Sequence, residues 1–257
     1  RQKTKKEFPH EIVIIRYALL DELRGLDLIS MMLYHACGMP CICSGSSVVP
    51  WYSAGQGRLW QQSICWVFIC CPASVCRWGI IRSNARGGFG AGVLVTAVTL
   101  LFMPENVVWF GVLTLLGSAM LLTGLVQKWL QKIPPAVGLA VSLILFALTY
   151  HTMDGYWAGP LRWALPQGLY ANYLTAYLGF YPVSFYSSDY FPLLPWLFLF
   201  WAGYYLHLLV GRKRMDLSPV GLPPLGWLGR HSLVLYLLHQ PVIFGVLTLV
   251  FTVPQLL

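Results

Sequence analysis

Charged side chains are scarce in this chain, and acidic side chains especially so. Asp, Glu, Lys and Arg make up 10% of the 257 residues, whereas soluble globular domains carry about 25%. Nine acidic residues stand against 17 Lys and Arg, and 57% of the residues are hydrophobic. This composition excludes an ordinary soluble domain and indicates a membrane protein.

Patterns typical of metal and nucleotide sites are also missing. The Cys-containing stretches "CICSGSS" and "ICCPASVC" fit no zinc-ligand spacing, so no metal site is predicted. The glycines of "ARGGFGAG" do not lie between a strand and a helix, and they favour close helix packing rather than dinucleotide binding. The apolar runs are continuous rather than alternating, which favours helices because unpaired backbone groups are costly in lipid.

Seven apolar runs, separated by Gly, Pro and charged residues, are predicted to span the membrane. They cover residues 26–37, 60–76, 89–103, 107–126, 136–150, 191–210 and 233–251. We therefore expect a single all-α domain over residues 1–257, a polytopic bundle of about seven transmembrane helices. No signal peptide is predicted, because Arg16 and Asp21 interrupt the run after the basic start and no small-residue cleavage site follows.

The Lys and Arg residues are distributed unevenly between the two sets of predicted loops. With the N-terminus inside, the inner segments hold Arg1, Lys3, Lys5, Lys6, Arg77, Arg82, Arg86, Lys128, Lys132, Arg212, Lys213, Arg214 and Arg230. The outer loops hold Arg58 and Arg162. The positive-inside rule then predicts a cytoplasmic N-terminus and an outer C-terminus. A basic cytoplasmic face also explains the net charge of +8 without a nucleic-acid partner.

Two ionisable residues of the first span have a helical spacing. Arg24 and His35 are eleven residues apart, so they share one face of a helix about 16 Å apart. The ordinary interpretation of Asp21, Glu22, Arg24 and Asp27 is a charged helix end that reaches the headgroups, and we adopt it for Glu22. An ionisable residue at membrane depth usually faces a bundle interior or a cavity, which favours a functional His35. A neutral histidine bonded to a carbonyl of a neighbouring helix is the alternative.

A second polar group follows from "DYFPLLPW" and "LGRHSLVLYLLHQPV". His231 and His239 are eight residues apart and lie on nearly one helix face, with Tyr236 close by. His231 is expected at the cytoplasmic mouth and His239 inside the span, while Asp189 comes to the outer end of the sixth span. Together with the first span, these residues predict a membrane-embedded polar site reachable from both sides.

The outer connection over residues 151–190 is the longest and is rich in Tyr and Trp. An interfacial aromatic belt is the favoured interpretation, and a stacking surface for a sugar-like acceptor is the other. Its middle part, residues 169–178, is predicted to form a short interfacial helix.

Five stretches together resemble a known family. "LDELRGLDLISMMLYH", "LWQQSICWVF", "FGVLTLLGSAMLL", "DYFPLLPW" and "LGRHSLVLYLLHQPV" are similar to bacterial members of the heparan-alpha-glucosaminide N-acetyltransferase catalytic-domain family. In the wider group of membrane acyltransferases, an arginine followed eleven residues later by a histidine marks the first helix, as Arg24 and His35 do here. The resemblance implies a membrane-bound O- or N-acyltransferase of the bacterial inner membrane. It would move an acyl group from cytoplasmic acetyl-CoA or another acyl-CoA to an extracytoplasmic, sugar-like amine or hydroxyl acceptor.

The family resemblance implies a role for each of the site residues. Arg24, Arg230 and His231 would hold the phosphates of coenzyme A, because guanidinium groups pair with phosphate bidentately. His35 would be a general base or transient acyl acceptor oriented by Asp189, and His239 would be the other catalytic candidate. The alternative function is a non-catalytic membrane protein, a transporter or an assembly partner, whose buried histidines relay protons or bond helices.

Two segments, residues 38–49 and 70–88, depart from the family pattern and are poor membrane sequence. Gly38 and Pro40 are expected to end the first span after about 12 residues, too short for a 30 Å core unless charged residues are buried. The first segment can be back-translated with permitted codons and one thymine restored after Cys37. Its shifted reading frame can then encode W-D-A-L-H-L-F-G-V-Q. In the same way, one thymine restored after Ile69 allows the second segment to encode L-L-S-G-F-C-L-P-L-G-H-H-P-L-K-R. Both readings match the family pattern, so a frame error is the preferred hypothesis for both segments.

Overall fold

The computed structural model describes residues 18–44, 55–73, 78–102, 107–158, 162–211 and 222–252. The α-helices in these ranges are α1 (Ala18–Ser44), α2 (Gly55–Ala73), α3 (Trp78–Phe102), α4 (Val112–Leu130), α5 (Pro135–Thr149), α6 (Tyr173–Ala176), α7 (Leu193–Val210), α8 (Pro223–Arg230) and α9 (Ser232–Thr252). Each of the seven predicted apolar runs coincides largely with one long helix, namely α1 to α5, α7 and α9.

Within the described ranges, three helices are long and apolar enough to cross a membrane by length and composition. These are Val112–Leu130, Pro135–Asp154 and Leu193–Val210. Two shorter apolar stretches, Arg86–Leu101 and Ser232–Ile243, lie in α3 and α9. The chain is thus a helical, multi-pass membrane protein, and the count of seven crossings stays a prediction.

The first helix differs from its predicted span at both ends. Instead of ending at Gly38 and Pro40, α1 continues through both residues to Ser44, a length of 27 residues. At its start, Asp21, Glu22 and Asp27 are 6–8% exposed. The expectation that Glu22 reaches the headgroups is therefore wrong, because α8 and α2 pack over this end of α1 and bury it. At 1.5 Å per residue the helix is about 40 Å long, enough to span the hydrocarbon core.

The largest core cluster surrounds α7, which packs against α2, α4 and α5. Phe200 and Tyr205 of α7 are at most 1% exposed. Two polar side chains of α7 are satisfied across this core. The Tyr205 hydroxyl donates to the Leu130 carbonyl at 3.1 Å, and the Trp201 indole N–H donates to the Thr123 hydroxyl at 3.0 Å. Both bonds join α7 to α4. They fix the position of α7, to which the preceding loop is attached.

The backbones of α1 and α8 come into direct contact through two glycines. A Cβ atom at Gly25 would overlap the Leu225 carbonyl, and one at Gly229 would overlap the Asp21 carbonyl. Because no side chain fits between the two helices, α8 lies flush against the charged end of α1. This contact brings Arg230 and His231 to the end of the bundle where Arg24 lies.

The long connection over residues 151–190 has little regular structure in its described residues. It contains 3-10 turns at Thr152–Asp154 and Gln167–Tyr170, a two-stranded antiparallel ribbon of β1 (Tyr156–Trp157) and β2 (Trp163–Ala164), and α6. The short helix predicted over residues 169–178 is present as the single turn α6. Beyond α6, the Ser188 and Phe191 amides donate to the Val107 and Phe110 carbonyls. These bonds tie the end of the connection to the segment before α4.

Candidate active site

A cavity of about 100 Å³ lies between α1, α2, α9 and the segment that leads into α7. Its apolar wall includes Met31, Ile64, Phe68 and Phe191, and its polar wall is formed by His35, Gln61, Ser188, Asp189 and Tyr236. The cavity is several times the roughly 30 Å³ that a water molecule takes up in the liquid, so it has room for a polar group of a bound molecule. The structure therefore brings the predicted residues His35 and Asp189 to one cavity.

The two histidines inside the bundle lie beside each other. The ring centroids of His35 and His239 are 5.1 Å apart with an interplanar angle of 49°. His35 is half-buried and also meets the Tyr34 ring edge-on at 5.7 Å. His239 is 4% exposed. The pairing joins α1 to α9 at the level of the cavity.

Main-chain contact determines which nitrogen of His239 carries the proton. Its Nδ1 lies 2.5 Å from the Tyr236 carbonyl oxygen. A carbonyl oxygen accepts hydrogen bonds and does not donate them, so Nδ1 carries the hydrogen in the neutral ring. Nε2 then keeps a lone pair, and this buried atom has no hydrogen-bond partner among the described residues. His239 thus presents a basic nitrogen beside His35.

The Asp189 carboxylate is held by two donors on one of its oxygens. Oδ2 accepts from the Val112 amide at 3.3 Å and from the Tyr236 hydroxyl at 3.2 Å. Burial raises the pKa of this carboxyl above its ordinary value, while the two hydrogen bonds lower the pKa. Neither of these bonds reaches His35. Asp189 and His35 thus line the same cavity, and the two hydrogen bonds of the Asp189 carboxylate go to other residues.

The predicted phosphate-binding residues lie at the other end of α1. The Arg24 guanidinium donates to the carbonyl of residue 71 at 3.0 Å and lies 3.5 Å from the Asp21 carboxylate. Arg230 and His231 are exposed on and just after α8. The His231 ring packs against Trp227 with a centroid distance of 4.4 Å and an interplanar angle of 34°, and its Nδ1 contacts the Trp227 carbonyl at 2.9 Å. These three residues form a basic mouth separated from His35 by about 16 Å along α1.

Three features of the site were not assigned a role from the sequence. Tyr236 binds Asp189 through its hydroxyl and His239 through its carbonyl; its spacing of three residues from His239 was the available signal. Gly111 leaves room for the carboxylate, since a Cβ there would lie 2.8 Å from Asp189 Oδ2. Asp27 is buried, and its Oδ2 lacks a hydrogen-bond partner among the described residues. In the same residues, no group of three His, Cys, Asp or Glu is placed to hold a metal ion.

The comparisons with known proteins give one match. No curated protein and no solved structure is similar to the chain. The family model for the catalytic part of heparan-alpha-glucosaminide N-acetyltransferase matches residues 16–241, which include α1 through the middle of α9 and every residue of the cavity. The match covers most of the sequence and confirms the resemblance of its motifs: this chain belongs to the heparan-alpha-glucosaminide N-acetyltransferase catalytic-domain family.

Proposed function

We propose that this membrane acetyltransferase-like protein moves an acetyl or other acyl group from cytoplasmic acyl-CoA to an extracytoplasmic acceptor. The acceptor would be a sugar-like amine or hydroxyl compound. The observation that carries the proposal is the polar cavity inside the helical bundle, which His35 and Asp189 line and beside which the His239 ring lies next to His35. Ionisable groups at this depth are costly and mark functional sites by default. Family membership supports the same chemistry.

The proposed reaction needs a base next to a thioester. An imidazole takes the proton of the acceptor's amine or hydroxyl, the acceptor attacks the thioester carbonyl, and the carbon–sulfur bond breaks. The proton then passes to the leaving thiolate, which gives free coenzyme A. Alternatively, His35 attacks first and carries the acyl group until the acceptor arrives. Both routes place His35 at the reacting carbon, with His239 Nε2 beside it as a second proton acceptor.

The basic mouth provides a place for the donor's phosphates. Arg24, Arg230 and His231 lie at one end of the bundle, and the guanidinium groups suit bidentate pairing with phosphate. The distance of about 16 Å from Arg24 to His35 would be spanned by the extended arm of coenzyme A between its phosphates and its sulfur. On this proposal, donor phosphates stay outside the bundle and the acyl group reaches the cavity.

The proposal is tested with the purified protein in lipid nanodiscs. Radiolabelled acetyl-CoA is supplied with D-glucosamine as acceptor, and acetylated sugar and free thiol are measured. Equal amounts of both products, formed in proportion to protein, are expected. If neither acetylated sugar nor free thiol forms with a correctly framed and folded protein, the chain is a non-catalytic membrane protein such as a transporter or an assembly partner.

The proposed orientation predicts a silent reporter at the C-terminus. With the N-terminus cytoplasmic and seven crossings of the bacterial inner membrane, residue 257 lies outside the cytoplasm. A reporter that is active only in the cytoplasm and is fused after Leu257 should therefore give no signal, while the same reporter fused before Arg1 should be active. A strong signal from the C-terminal fusion would contradict this topology and the donor and acceptor sides assigned from it.

The frame hypothesis for residues 38–49 and 70–88 also stays a proposal. Much of both segments lies outside the described side chains. We expect the coding DNA, or that of close relatives, to show a missing base near Cys37 and another near Ile69. Compensating changes are expected before Trp51 and around Phe89. Resequencing decides the matter, and mass spectrometry that finds the written residues in the natural protein would defeat the hypothesis.

A further inference from the structure

The way Asp189 is held suggests a role different from orienting a histidine. Its two described hydrogen bonds both end on Oδ2, from the Val112 amide at the start of α4 and from the Tyr236 hydroxyl of α9. These donors come from two different helices, so they fix the plane of the carboxylate. Oδ1 takes part in neither of these bonds, and Asp189 is one of the residues that line the cavity.

The neighbours of the carboxylate are arranged to keep it there. Gly111 is the residue before α4, and a methyl group at this position would lie 2.8 Å from Oδ2 and 2.7 Å from a Val108 methyl carbon. The Tyr236 ring packs against Phe68 with a centroid distance of 5.3 Å, which holds its hydroxyl toward Asp189. These contacts therefore hold the Asp189 carboxylate in one position, on the side of the cavity formed by the segment that leads into α7.

We propose that Asp189 is the group that binds the acceptor, through a cationic amine at Oδ1, and that Tyr236 and Gly111 are positioning residues for it. The inference rests on the proposed function and deepens it. A carboxylate that lines a cavity and is anchored through one of its oxygens can pair with an ammonium group through the other, and charge-assisted hydrogen bonds are stronger than neutral ones. A neutral hydroxyl at the same place forms a weaker bond. Asp189 thus selects amine over hydroxyl acceptors, and the step involves binding alone.

The test measures binding rather than acetyl transfer, so that it is independent of the proposed reaction. Calorimetric titration of the purified protein compares D-glucosamine with D-glucose, which has a hydroxyl in place of the amine. The wild-type protein is expected to bind glucosamine about tenfold or more tightly than glucose. In Asp189→Asn this preference should disappear. In Tyr236→Phe, which keeps the carboxylate but removes one donor, glucosamine affinity should fall about threefold.

Matched controls separate positioning from general damage. Tyr205→Phe removes another buried hydroxyl, bonded to the Leu130 carbonyl at 3.1 Å, and Asp154→Asn removes an exposed carboxylate paired with His151 at 2.7 Å. Both controls should keep the wild-type preference. A preference that survives in folded Asp189→Asn, or its absence from the wild-type protein, overturns the assignment. Loss of acetyl transfer with the binding preference intact would instead count against the proposed function alone.

Discussion

Replacing His35 with alanine is expected to lower the rate of acetyl transfer about 100- to 10,000-fold, which is the usual effect of losing a catalytic acid or base. His35 lines the cavity and lies 5.1 Å from His239, centroid to centroid. No described core cluster depends on its ring, so the variant should still insert into the membrane. The comparison is made as initial rate per folded protein, with folded yield measured by size-exclusion chromatography.

The His35→Gln variant distinguishes a catalytic role of His35 from a structural one. If His35 merely bonds to a neighbouring helix, His35→Gln restores a donor and should recover much of the lost function. If His35 is the base or the acyl acceptor, glutamine is as inactive as alanine while the protein stays folded. His239→Ala is measured beside both variants. Near-normal transfer by His35→Gln would remove His35 from the mechanism and pass its role to the open Nε2 of His239.

The second large effect is expected at the basic mouth formed by Arg24, Arg230 and His231. Arg24→Ala should raise the KM for acetyl-CoA by about 10- to 100-fold, because a charge-assisted hydrogen bond to a phosphate is lost. The KM for the acceptor should change little, since Arg24 lies about 16 Å from His35 along α1. Steady-state kinetics with each substrate varied in turn provides the measurement.

Two variants make the result for Arg24 interpretable. Arg58→Ala removes an exposed arginine from the opposite end of α2 and should leave both KM values unchanged. Arg24→Lys keeps the charge without the bidentate fork and should fall between the wild-type protein and Arg24→Ala. Arg24 also bonds the carbonyl of residue 71, so the thermal stability of each variant is recorded. A stability loss with an unchanged KM for acetyl-CoA would make Arg24 a structural residue.

Hydropathy alone located the long helices, because a lipid environment demands continuous apolar helical segments. Each predicted run coincides largely with a helix such as α4 or α7. The failure at α1 has a clear physical reason. Predicted ends depend on local signals such as Gly38, Pro40 and the acids near Asp21, whereas the observed helix gains its burial from α8, which lies some 200 residues away in the chain.

The composition of the site was predictable only in part. Helical spacing placed Arg24 with His35 and His231 with His239, but it carried no information on how α1 approaches α9. The resemblance of the motifs supplied that link. The contacts that hold Asp189 could not be predicted from the sequence. Its donor Val112 is 77 residues away, and the need for glycine at position 111 arises only from a contact in the folded protein.

The glycine contact between α1 and α8 has a mechanical consequence. Gly25 meets the Leu225 carbonyl and Gly229 meets the Asp21 carbonyl, so no flexible side chains separate the two backbones. Close-packed backbones transmit displacement instead of absorbing it by rotamer changes. A displacement of α8 is therefore passed on to α1, and His35 lies farther along that helix. On the proposed function, coenzyme A bound at Arg230 and His231 is expected to shift the position of the His35 imidazole.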